Sequence, residues 1–71
     1  MFKVKVLNYV QGMTYISYLD QEELECFHNL ITRLDNVTHI KLQLKDNRTV
    51  VLPKLFLENS VFYYEEIKEG D

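Results

Sequence analysis

The stretch Leu19-Asp20-Gln21-Glu22-Glu23-Leu24-Glu25-Cys26-Phe27 begins a helix by its own chemistry. The Asp20 side chain is placed to accept from the unpaired N–H groups of a first turn. Glu23, three residues on, can reach back to the Asp20 N–H, so the two form a capping box. Leu19 and Leu24 flank the cap as a hydrophobic staple. Leu24, Phe27, Ile31 and Leu34 then recur at spacings of three and four, which puts them in one apolar stripe. Asp20, Glu22, Glu23 and Glu25 crowd the positive end of the helix dipole and Arg33 lies toward the negative end. The helix is expected to stop around Asp35-Asn36, where short polar side chains satisfy local backbone groups and Asn tolerates a left-handed conformation.

On the N-terminal side, residues 2–9 alternate apolar and cationic side chains from Phe2 to Val6, the period-2 pattern of a half-buried strand with Phe2, Val4 and Val6 toward the core. Gln11-Gly12 is a turn signal, and Met13 to Leu19 is rich in Tyr, Ile and Thr, so a first β-hairpin is predicted. On the C-terminal side, residues 38–45 alternate without a fault. Ile40, Leu42 and Leu44 fall on one face, and His39, Lys41, Gln43 and Lys45 on the other. Asp46-Asn47 turns the chain into Thr49-Val50-Val51-Leu52. A two-residue loop sets Leu42 and Leu44 opposite Val51 and Thr49, and one more loop residue sets them opposite Leu52 and Val50.

Pro53, which has no N–H to donate, ends that strand. Residues 54–58 suit one helical turn closed by Asn59-Ser60, and residues 61–67 a final strand. The whole is predicted to be α+β in the order β-β-α-β-β-(short turn)-β, a mostly antiparallel sheet of four to five strands with one helix on one face. Residues 1–67 form one domain and 68–71 a frayed polar tail.

Composition narrows the function. A chain of 71 residues buries only about 60% of its unfolded surface, so small domains are often stapled by disulfides, metals or a second subunit. Cys26 is the single cysteine, which excludes an internal disulfide and suits a reducing cytoplasm. The apolar run of a membrane span or a secretory leader is missing, so no membrane association is expected. The net charge of −3 makes nucleic acid an unfavoured partner. His28 and His39 stand at no zinc-ligand spacing from Cys26, no metal site or cofactor is expected, and Cys26 and His28 point in different directions on the helix. Ser17 and Ser60 lie in no nucleophile elbow, and Gly12 and Gly70 cannot make a phosphate loop. No catalytic residue is assigned, and the expectation is a non-enzyme.

Binding is the remaining class. Five tyrosines and four phenylalanines exceed what so small a core needs, and Tyr9, Tyr15, Tyr18, Phe62, Tyr63 and Tyr64 are the candidate contacts with a protein partner. The last strand is apolar on both sides, with Phe62 and Tyr64 on one and Tyr63 and Ile67 on the other. It is therefore expected either to meet a target or a second copy in a homodimer, or to lie centrally within the chain. Lys3, Lys5, Lys41 and Lys45 make a basic stripe if their two strands are neighbours. That stripe is the basis of the alternative, a small nucleic-acid-associated protein.

The β-strand opening, the capped helix at Leu19-Asp20-Gln21-Glu22-Glu23-Leu24 and the closing Val50-Val51-Leu52-Pro53-Lys54-Leu55-Phe56-Leu57-Glu58-Asn59-Ser60 together resemble the small accessory proteins of bacteriophages and mobile elements of Gram-positive bacteria. The resemblance implies an early phage protein that inhibits or modulates a host replication, transcription or defence component, often as a dimer. It brings no residue roles with it.

Overall fold

The computed structural model describes residues 1–68. The fold is α+β, with strands β1 (Phe2–Asn8), β2 (Met13–Leu19), β3 (His39–Gln43), β4 (Thr49–Pro53) and β5 (Ser60–Glu66). Helix α1 (Gln21–Thr32) lies between β2 and β3, and a short helix α2 (Lys54–Glu58) between β4 and β5. The strands divide into two antiparallel sheets, β2-β1-β5 and β3-β4, rather than one. The sheets meet side by side, where the Lys45 N–H donates to the Ile16 carbonyl at 3.2 Å and the Ser17 hydroxyl donates to the Gln43 carbonyl. The tail expected over residues 68–71 lies, from residue 69 on, outside the described residues.

The capping box forms as its chemistry requires. The Glu23 N–H donates to Asp20 Oδ1 at 2.8 Å and the Asp20 N–H to Glu23 Oε1 at 3.0 Å. The far end differs from expectation: α1 stops at Thr32, and a 3-10 turn over Leu34–Asn36 carries the chain onward. Arg33 has left helical geometry and serves as the C-cap, so no cation sits in the last turn, and the left-handed residue is not Asn36. Of the predicted stripe Phe27 is buried, while Leu24, Ile31 and Leu34 pack partly against the core.

The first hairpin closes over residues 9–12, with Gly12 at φ 70° supplying the left-handed turn position. The second hairpin has neither of the registers expected from its sequence. Leu42 lies opposite Val50, and the Leu44 N–H donates to the Arg48 carbonyl at 2.7 Å, which leaves the three-residue loop Lys45-Asp46-Asn47. Asn47 takes φ 68°, the left-handed position that ends a three-residue hairpin loop. The core is the space between the sheets, filled by Val4, Val6, Leu19, Ile40, Leu42, Leu44 and Leu52, and capped by Phe27 from α1 and Leu57 from α2.

Two buried polar residues tie these parts together. Ser17 is fully buried in β2, where a larger side chain would hold β3 away. Asn8 ends β1; its Oδ1 accepts from the N–H groups of Val10 and Gln11 while its Nδ2 donates to the Phe56 carbonyl at 3.0 Å. One side chain thus shapes the first turn and anchors α2.

Candidate protein-binding face

The inner side of β2-β1-β5 is taken up by the core, and its outer side has no covering element among the described residues. The register sets three rows across that outer side: Tyr18-Lys3-Glu65, Ile16-Lys5-Tyr63 and Thr14-Leu7-Val61. Tyr18 is 41% exposed and Tyr63 51%, Val61 is also exposed, and Leu7 and Ile16 are half-buried. The Lys5 ammonium stands over the Tyr63 ring at 5.9 Å from its centre. The result is a flat patch of apolar and aromatic surface studded with a few charges. Its composition resembles the aromatic-rich surfaces by which proteins hold one another.

The expected contact residues separate into groups. Tyr18 and Tyr63 belong to this face. Tyr64 points the other way at the free side of β5, with its hydroxyl 3.4 Å from His28 Nδ1, and partial burial pushes its phenol above the ordinary value. Tyr15 and Phe62 turn inward, Tyr15 against Phe56 at a ring separation of 5.8 Å and Phe62 against Phe27 at 6.0 Å. Tyr9 sits exposed in the first turn, just beyond β1. β5 is not a central strand. Its one strand neighbour is β1, and Val61, Tyr63, Tyr64, Glu65 and Glu66 are all exposed.

The lysine stripe does not form, because the neighbours of β1 are β2 and β5, and β2 separates Lys3 and Lys5 from Lys41 and Lys45. Lys3 moreover has Glu65 beside it in register.

Sequence reasoning overlooked Leu7, Ile16 and Val61, which the period-2 count of each strand places on the same face as Tyr18 and Tyr63 once the register is known. It also overlooked a groove beside α2 and the first turn, lined by Val10, Tyr15, Val51, Pro53, Leu55 and Phe56, where Leu55 is 72% exposed and no charged side chain takes part.

Among the described residues no group of three or more His, Cys, Asp or Glu could hold a metal ion, and no helix is long and apolar enough to cross a membrane. Cys26 is exposed and unpaired. No protein-family model, curated protein or solved structure matches this chain.

Proposed function

We propose that the chain is a small non-enzymatic protein-binding module that acts as a dimer, of the kind phages and mobile elements use to inhibit or modulate a host protein. The observation that carries this reading is the outer face of β2-β1-β5, where Tyr18, Tyr63, Val61, Leu7 and Ile16 surround Lys5 without a covering element among the described residues. Tyrosine gives a partner a large rigid contact area at low entropic cost, with a hydroxyl for the wet rim. Lys5 and Lys3 add points at which an acidic group of the target gains a charge-assisted hydrogen bond. The division of the lysines between separate strands leaves nucleic acid the less favoured partner.

Affinity capture from a Gram-positive bacterial lysate tests the proposal, with the Lys5→Glu/Tyr18→Glu variant beside the wild type. Both substituted residues are exposed on the face and neither belongs to β5. One protein held in stoichiometric amount by the wild type and lost by the variant supports the reading. Equal capture by both removes this face from it.

A further inference from the structure

We infer that the dimer forms by edge-to-edge pairing of β5 with β5 of a second copy, antiparallel and centred on Tyr63, so that the two three-stranded sheets become one sheet of six. This rests on the reading of the chain as a dimeric binding module and specifies how the two copies join.

The backbone decides which groups are free. The Ile67 N–H donates to the Met1 carbonyl and the Tyr9 N–H to the Asn59 carbonyl. Taken with the β1–β5 register, these bonds turn the N–H and C=O of the odd-numbered residues of β5 toward β1. Ser60, Phe62, Tyr64 and Glu66 therefore turn theirs to the open edge. Among the described residues no second strand pairs there. An edge of this kind is a template for another strand unless it is blunted by proline, by charged side chains (lysine above all) or by a bulge, and β5 contains neither Pro nor Lys and carries its charges, Glu65 and Glu66, at its C-terminal end alone. The other outer edge of the fold is blunted. By the same alternation Thr49, Val51 and Pro53 face outward from β4, and Pro53 has no N–H to offer.

Charge sets the direction. The two acids of β5, Glu65 and Glu66, lie together at its C-terminal end, and neither takes part in an ion pair among the described residues. An in-register parallel pairing would set each acid against its own copy. The antiparallel pairing about Tyr63 sets Glu65 opposite Val61 and Glu66 opposite Ser60, so no acid faces an acid. This register also engages all of β5: Phe62 meets Tyr64 of the second copy in hydrogen-bonded pairs, and Tyr63 meets Tyr63 in a non-hydrogen-bonded pair with Cα atoms about 4.5 Å apart. A two-fold contact must be self-complementary, and this one is.

The test uses the full chain with Cys26→Ser, so that an introduced cysteine is the sole thiol. Light scattering at micromolar concentration is expected to give twice the chain mass. Tyr63→Cys in this background is expected to form a disulfide-linked dimer under mild oxidation, since a Cα separation near 4.5 Å lies within disulfide reach. Leu55→Cys, exposed on α2 and outside β5, is expected not to do so. Tyr63→Lys, which sets two cations together on the axis, should give the single-chain mass with an unchanged circular dichroism spectrum. A single-chain mass for the parent protein, or a dimer that links through Leu55→Cys and not Tyr63→Cys, overturns the inference. Protection of the Phe62 and Tyr64 amides from exchange only when a target is added also overturns it, since the edge would then hold a strand of the target. A parent protein that is monomeric and still captures its target would remove this dimer and leave the outer face standing. A dimer that captures nothing would do the reverse.

Discussion

The Lys5 ammonium lies 5.9 Å from the centre of the Tyr63 ring, and the two residues are direct neighbours in the β1–β5 register on the outer face of the sheet. At an exposed site such a contact is worth about 0.5–1 kcal/mol, so the pair contributes little to holding the fold together. It gives the centre of the patch a fixed arrangement in which a cation and an aromatic ring are presented side by side. The folding cost of changing this face should therefore be small. Urea denaturation of Lys5→Glu/Tyr18→Glu is expected to show a loss of about 1 kcal/mol or less. A loss of several kcal/mol would mean that the face supports the fold itself.

Asn8 is different in kind. It is buried and its side chain joins the first turn to α2, so replacing it leaves the Val10 and Gln11 N–H groups short of a partner and takes from the Phe56 carbonyl one donor, with the Ser60 hydroxyl and the Asn59 N–H remaining. Asn8→Ala is expected to cost on the order of 2–3 kcal/mol in the same denaturation measurement. An unchanged midpoint would show that water replaces the side chain at no cost.

Helix α1 depends on one buried side chain. Phe27→Ala removes the ring that meets both Phe62 and Tyr64, at 6.0 and 6.4 Å, and should cost about 3–5 kcal/mol, enough to unfold much of a domain this small. Leu30→Ala, on the same helix but exposed, should shift the midpoint by about 0.5 kcal/mol or less. Equal effects would contradict the packing of α1 through Phe27.

The Tyr64 phenol has its pKa raised by burial. The folded state therefore favours the neutral phenol more than the unfolded chain does. The stability this provides is complete below the unfolded value and is lost as pH rises through the folded one. Thermal melts of the wild type should fall more steeply than those of Tyr64→Phe as pH passes above 10, the ordinary tyrosine value. Parallel curves would show that Tyr64 ionises without hindrance.

Most of this architecture is legible in the sequence, because its signals are local. The capping box needs only Asp20 and Glu23, and the alternation of residues 38–45 needs only the pleat of a strand. What is not legible depends on distant partners. The second hairpin's register turned on Asn47 adopting a left-handed conformation in a three-residue loop, a choice that Asp46-Asn47 alone does not force. Nothing in the sequence around Ser17 shows that β3 comes to lie beside it. The candidate face was half visible for the same reason. Tyr18 and Tyr63 stand out by type, but their company with Lys5, Leu7, Ile16 and Val61 arises only when β5 returns to β1 from the far end of the chain. The lysine stripe failed at the same step, since it required β1 beside β3.

The most direct test of the central claim is a binding titration of the purified captured protein against three forms of the chain: the wild type, Lys5→Glu/Tyr18→Glu and Leu55→Asp. If the outer face of β2-β1-β5 holds the target, the double variant should bind at least about 100-fold more weakly, as reversal of the central Lys5 charge together with loss of the Tyr18 contact, about 3 kcal/mol in all, implies, and Leu55→Asp should bind as the wild type does. Unchanged binding by the double variant together with loss in Leu55→Asp would contradict the account and move the site to the groove beside α2.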